Sequence, residues 1–262
     1  MFVVALLTGP SSARAEETEA AASRIARALG VTAYEARLAI AGGFPAILLS
    51  TVDEAKTRAV LATLRGGGDD AVACDGRAIL SADAMVPLDH FAFEERAVVA
   101  GGQTLPYDDV LCLVRAVHRA RASTETKTTE RKFAVGKSLL SGGLANSKVV
   151  TTTSKEGAES REQVLYVFRR SGETPWILRE SRTGYEGLGA ARGLTATANF
   201  ATTVQLLRQR APQAPYDERL MHPHKAPEAS SLQGTGSRST VTTSSAGGVD
   251  MLAHLVALSF AR

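Results

Sequence analysis

The sequence predicts an α+β protein in three parts: an N-terminal β-α-α-β-α-β sandwich, a β-roll or barrel-like domain closed by a helix, and a flexible tail with a short terminal helix. Three observations carry this. Helix starts and short apolar runs alternate through residues 1–76. Beyond residue 89, apolar residues recur at every second position and glycine pairs turn the chain, the pattern of strands and hairpins. From Met221 to Gly248 the composition shifts to Ser, Thr, Gly, Pro and His, so residues 217–248 read as a flexible tether.

Residues 2–8 (F-V-V-A-L-L-T) read as a first strand ending at Gly9-Pro10. Ala13-Arg14-Ala15 resembles a small-residue cleavage site, so residues 1–15 also bear comparison with a signal peptide. They lack the positive leading region, and the apolar run is at the short edge of what such a peptide needs. A helix is expected from Ser11-Ser12 through Leu29, because Thr18, Ala22, Ile25 and Leu29 fall on one face. Glu16, Glu17 and Glu19 crowd its first turn, where the helix dipole favours them. Thr32 with Glu35, and Thr51 with Glu54, have the capping-box spacing that starts two further helices. Residues 44–50, an apolar run behind Gly42-Gly43, are too short for a helix and suit a buried strand. Gly66-Gly67-Gly68 stops the third helix, and residues 71–74 close the module as a strand.

This order resembles the C-terminal domain of the bacterial ribosomal stalk protein, a small fold shared with the Clp protease adaptor. The resemblance is carried by T-A-Y-E-A-R at 32–37, the proline-entered F-P-A-I-L-L at 44–49 and D-E-A-K-T-R-A-V-L-A-T-L-R-G-G-G at 53–68. It covers residues 20–75 and rests on pattern and helix phasing. In that family the domain recruits translational GTPases through lysines and arginines on its paired helices. The resemblance therefore implies protein binding at Arg37, which stands at a matching position. Ser23, Ala26 and Tyr34 occupy others and cannot make the same contact. Arg24 and Arg27 are displaced by one residue, about 100° around a helix.

Residues 77–88 read as a connector, and 89–216 as the β-rich domain. Phe91, Phe93, Glu95, Ala97 and Val99 alternate as in a strand, Gly101-Gly102 turns the chain, and residues 106–109 make a second corner before a strand at 110–118. Residues 123–160 are rich in Thr, Ser, Lys and Glu and read as a mobile insertion, with short strands expected at 132–140 and 148–153. Residues 164–169 and 176–180 form a hairpin through Ser171-Gly172. A helix follows, capped by Asn199 or a nearby Thr, with Phe200, Val204 and Leu207 on one face and Pro212 beyond its end. P-Y-D-D-V-L at 106–111 and N-F-A-T-T-V-Q-L-L at 199–207 are similar to bacterial pleckstrin-homology-like domains. That similarity implies a barrel sealed at one end by the helix, with sheet edges and loops free for partners. Residues 249–262 form a short amphipathic helix, with Leu252, Leu255, Val256 and Ser259 near one side.

Composition narrows the function. The net charge is +3 and aromatics are 5%, with none interleaved among the basic residues, which argues against nucleic acid. No run approaches the 18 or so apolar residues of a membrane span. Cys74 and Cys112 sit in apolar runs and read as buried free thiols, consistent with a reducing compartment and a cytoplasmic location. His222 and His224 have no partner ligands at motif spacing, and C-x-x-C and H-E-x-x-H are both missing, so neither a metal nor a cofactor is expected. Gly187, Gly189 and Gly193 miss a dinucleotide fingerprint at Arg192, and Gly136-Lys137-Ser138 misses a phosphate loop at Arg131. No G-x-S-x-G elbow is present. His90 and His118 read as structural, and the pairs Asp69-Asp70 and Asp108-Asp109 point oppositely on extended chain. Arg115, Arg119 and Arg121 share one strand face and continue to Lys127, Arg131 and Lys132, a stripe suited to an anionic headgroup or an acidic protein.

These readings converge on a non-enzymatic protein–protein interaction module, an adaptor or scaffold. Its contact surface is expected on the paired helices at 16–41, with Arg24, Arg27 and Arg37, and on the edges of the second domain. Two alternatives stay open: an anion- or headgroup-sensing module making peripheral contact with an anionic membrane, and an enzyme whose site is not visible in sequence.

Overall fold

A computed structural model describes residues 1–9, 15–133, 147–222, 228–235 and 238–261. The protein is α+β and divides into two compact units. The first comprises Met1–His118, Arg161–Pro227 and Ser245–Arg262, the second Arg119–Ser160 and Glu228–Ser244. This division does not coincide with the expected boundary at 77–88.

The first unit begins with the expected order of elements: β1 (Phe2–Leu6), α1 (Ala15–Leu29), α2 (Ala33–Ile40), β2 (Ala46–Thr51), α3 (Glu54–Gly66) and β3 (Ala71–Asp75); the helix start expected at Ser11-Ser12 lies outside the described residues. β1 is the central strand, antiparallel to both neighbours, with Val4 opposite Leu49 and Ala73. Thr32 and Glu35 form the predicted capping box. α3 starts differently. Asp53 is its cap, accepting from the Lys56 N–H at 3.0 Å. Thr51 is held in the β2 ladder opposite Phe2, and its hydroxyl accepts from the Asp53 N–H at 3.1 Å.

The run F-V-V-A-L-L is apolar at every position because both faces of β1 are covered. Val4 and Leu6 pack with Ala22 and Ile25 of α1, Ala36 and Ile40 of α2, and Val60 and Leu64 of α3. Val3, Ala5 and Leu7 point the other way, into a core built with α5 (Ala246–Phe260), whose Val249, Leu252, Ala253 and Val256 are buried there. The terminal helix therefore folds back on its own unit. It starts at Ala246, three residues before the expected position.

The expected connector is part of the structure. Two 3₁₀ turns (Gly76–Ala78 and Ala82–Ala84) lead into β4 (Val86–Pro87), and Ala82, Met85 and Leu88 are buried. The run from 91 to 99 is two strands, β5 (Phe91–Phe93) and β6 (Ala97–Ala100), which form a meander with β7 (Gln103–Pro106). Gly101 and Gly102 take positive φ at the β6–β7 turn, where a side chain would be strained.

A third sheet is built from β4 with β8 (Val110–Phe133), β9 (Ser147–Arg169), β10 (Trp176–Arg179) and β11 (Tyr216–Leu220). Within the first unit its order is β11-β8-β9-β10-β4. β9 and β10 are the predicted hairpin, with Ile177 opposite Tyr166. Side chains alternate across this sheet. Cys112, Val114, Val164, Tyr166 and Phe168 face α5. Leu113, Leu165, Val167, Trp176 and Leu178 pack with α4 (Ala196–Arg210) through Phe200, Val204 and Leu207. Thr195 caps α4, accepting from the Ala198 N–H at 3.2 Å. Asn199 instead clasps Gly193: its Oδ1 accepts from the Gly193 N–H at 2.6 Å and its Nδ2 donates back at 3.3 Å.

The second unit is strand at every described residue except Glu228. The outer parts of β8 and β9 run through the segment expected to be a mobile insertion, and residues 134–146 lie outside the described residues, with part of the short strand expected at 132–140. β12 (Ala229–Thr235) and β13 (Arg238–Ser244) replace much of the expected tether. β13 pairs antiparallel with β8, Thr242 opposite Ala122. Its T-V-T-T-S run is polar but β-branched, so ladder hydrogen bonds order a composition that resembles disorder.

Candidate functional site

The basic residues singled out in the sequence lie in different environments. Arg24 on α1 donates to Asp69 beyond α3 at 2.8 Å, and that hydrogen bond raises its already high pKa. Arg37 on α2 pairs with Glu19 on α1 at 3.0 Å, so it braces the helix pair and stays half-exposed. Arg27 is exposed on α1. Arg115 does not contribute to a solvent-facing stripe: its guanidinium sits 5.6 Å from the Phe200 ring, bonds Gln163 and has a buried Nε without a partner. It belongs to the first unit, Arg119 and Arg121 to the second, where Arg121 lies 3.7 Å from Glu159. A strand face ignores what packs on it, which is why the sequence placed all three together.

The outer face of α2 carries a feature the sequence reading missed. Tyr34 and Leu38 are 62% and 48% exposed, and Val31, just ahead of the cap, is 40% exposed. Tyr34 and Leu38 are four residues apart, so they lie within about 40° of each other around the helix. Ala36 and Ile40 fill the buried side. Arg37 borders the apolar pair. The signal was present in sequence: A-Y-E-A-R-L-A-I has apolar residues on two sides of a helix, and the sheet can cover only one. Val52 and Leu194 are also exposed, each between elements rather than on α2.

Groups able to do chemistry are gathered elsewhere, but turned inward. Tyr166 on β9 donates its hydroxyl to Asp250 Oδ1 at 2.6 Å. That proton is committed, so His118 Nε2, 2.7 Å from the same hydroxyl on β8, carries the hydrogen it gives to Tyr166. His118 Nε2 is also 3.4 Å from Asp250 Oδ1, and the Ala82 N–H donates to Oδ2 at 2.9 Å. Burial alone would raise the Asp250 carboxyl, but hydrogen bonds from His118, Tyr166 and Ala82 outweigh it and hold the group below its usual range. Burial first, and then the Asp250 charge, push the Tyr166 hydroxyl well above its ordinary value. One α5 turn later, His254 places Nδ1 2.9 Å from the Asp250 carbonyl, while Nε2 accepts from the Leu80 N–H at 3.3 Å. Burial lowers its pKa, which favours the neutral ring. The network fastens α5 to strands and turn, its side chains facing protein rather than solvent.

His90 is exposed, 3.6 Å from Glu186. Cys74 is half-buried and Cys112 buried, both free. Among the described residues, no three His, Cys, Asp or Glu side chains are grouped to hold a metal ion. Among the same residues, no helix is long and apolar enough to cross a membrane. Comparison with protein-family models, with curated proteins and with solved structures found no match to this chain.

Proposed function

We propose that this protein is a non-enzymatic interaction module, an adaptor or scaffold, that holds a protein partner on the outer face of its α1–α2 pair. One observation carries the reading: Tyr34 and Leu38 are exposed together on α2, with Arg37 alongside and the exposed Val31 just ahead of the helix cap. Single exposed apolar residues are ordinary, whereas a cluster bordered by polar groups marks interaction surface. Tyrosine and arginine are also the residues most often found to dominate binding energy. The resemblance of residues 20–75 to the ribosomal stalk domain, whose paired helices recruit protein partners, supports the same face. A cytoplasmic location, supported by the two free thiols, is part of the proposal.

The test uses the full chain, because β1 is buried on both faces and deleting residues 1–76 would dismantle the core. A tagged protein is compared with Tyr34→Glu/Leu38→Glu and with a control pair on α3, Lys56→Glu/Arg58→Glu. The expected result is a stoichiometric partner retained by the wild type and the control and lost from the α2 variant, with all three folded by circular dichroism. Retention unchanged by the α2 substitutions would overturn the assignment. The headgroup-sensing alternative gains nothing from Arg115, whose guanidinium is engaged by Phe200 and Gln163.

A further inference from the structure

The first unit contains a half-open groove of about 690 Å³, within the size range of small-molecule sites. It runs between the C-terminal half of α5 and the β9–β10 turn. Leu80, Leu111, Phe168, Ala257 and Phe260 line it with apolar surface. His254 and Cys74 also border it, without offering a free charge. Both ring nitrogens of His254 are engaged, and burial pushes the Cys74 thiol up, which keeps it neutral.

The rim charges decide which ligand fits. Arg169 holds two carboxylates: its Nε donates to Asp109 Oδ2 at 2.6 Å, and its Nη1 pairs with Glu173. That pairing also uses the carboxylate that Glu173 would offer a cation. Arg170 is different. Its backbone N–H is fixed on the Asp109 carbonyl at 2.7 Å, which sets its place at the rim. Its side chain is exposed, borders the groove and makes no ion pair among the described residues. The groove therefore combines an apolar floor with one guanidinium at its mouth whose N–H donors no carboxylate takes among the described residues, while the formal charges of Arg169 and Arg170 balance those of Asp109 and Glu173.

We propose that this groove binds an amphipathic monoanion, a hydrocarbon tail bearing a single carboxylate, with the tail on Leu111, Phe168 and Phe260 and the carboxylate on Arg170. Burying the tail supplies the affinity. The guanidinium selects the head, because it presents paired N–H donors to a planar carboxylate. A cationic head finds both nearby carboxylates, Asp109 and Glu173, already held by Arg169, and a fully polar anion leaves the floor wet.

Dodecanoate, kept below its micelle-forming concentration, is the probe, with dodecanol and dodecylamine as matched neutral and cationic tails. Binding is read by calorimetry and by the rate at which an aromatic disulfide reagent modifies Cys74, which lies in the groove. Dodecanoate is expected to bind and slow Cys74 modification, with dodecanol weaker and dodecylamine weakest. Arg170→Ala, at an exposed position, should lower dodecanoate affinity about fivefold, the size of a partly solvated ion pair, and leave dodecanol unchanged. Thr174→Trp, an exposed substitution in the lining, should weaken both by filling the mouth. Failure of dodecanoate to bind would overturn the proposal. So would binding untouched by Thr174→Trp, or a carboxylate preference that survives Arg170→Ala.

Discussion

Tyr166→Phe tests the buried network most directly, because it removes one oxygen and leaves the ring packed against Phe168. In the native protein that hydroxyl donates to Asp250 at 2.6 Å and accepts from His118 at 2.7 Å. Its loss leaves a buried carboxylate with the Ala82 N–H and a histidine nitrogen 3.4 Å away. A hydrogen bond to a charged group contributes about 1.5–3 kcal/mol, so a loss of about 2 kcal/mol is expected. With a denaturant dependence of roughly 2 kcal/mol per molar urea, the midpoint falls by about 1 M. Trp176, the single tryptophan and fully buried in this unit, reports the transition by fluorescence.

The pH dependence supplies a second reading with a fixed sign. The Asp250 carboxyl is depressed in the folded state, so between its folded and unfolded pKa values the unfolded chain binds more protons, and stability rises with pH there. That contribution is complete above the unfolded value of about 3.9 and disappears as pH falls through the folded one. In Tyr166→Phe one of the depressing hydrogen bonds is gone while burial persists, so the acid limb should become shallower or reverse. A loss below about 0.5 kcal/mol, less than any hydrogen bond to a buried charge, would refute the reasoning. An acid limb parallel to the wild type would do the same.

Asp53→Ala should cost about 1 kcal/mol by removing the α3 cap, and Thr51→Ala distinctly less; urea midpoints of the two variants check the order. Gly187→Ala should destabilise by about 1–3 kcal/mol, because a Cβ there would stand 1.9 Å from the Phe91 carbonyl oxygen, a backbone atom that cannot turn aside. Thermal melting measures the loss, and an unchanged melting temperature would contradict the packing of that turn under β5. Burial pushes the Cys112 thiol up to about 12, so a thiol reagent should titrate one cysteine in the native protein and two after unfolding. Two reactive native thiols would place Cys112 wrongly.

Local signals read well where the chain obeys one rule at a time. The Thr32–Glu35 box, the Gly101-Gly102 turn, the β9–β10 hairpin and the Phe200–Val204–Leu207 face of α4 each follow from spacing alone. The tether was misread because Ser and Thr favour both disorder and strands, and what decides at β13 is a partner strand more than 100 residues away in the chain, β8 at 120–126. The buried network was illegible for the same reason: His118, Tyr166 and Asp250 come from separate strands and a distant helix, with no spacing rule linking them. Thr51 failed as a cap because the β2 ladder claimed it first.

The two-faced strand β1 also bears on where a partner can act. A sheet with one covered face would alternate apolar and polar residues, and F-V-V-A-L does not. α1, α2 and α3 cover one face of that sheet and α5 the other, so residues 1–76 are not a detachable domain in this chain. The same arrangement leaves the outer side of α2 exposed among the described residues, since α2 turns Ala36 and Ile40 toward the sheet and Tyr34 and Leu38 away from it. Tyr34 and Leu38 therefore remain exposed because the core has no use for them. Replacing them should leave stability within about 0.5 kcal/mol, as for surface substitutions away from caps and networks. If Tyr34→Glu/Leu38→Glu melts far below the wild type, those side chains serve the fold, and the case for a contact surface on α2 is lost.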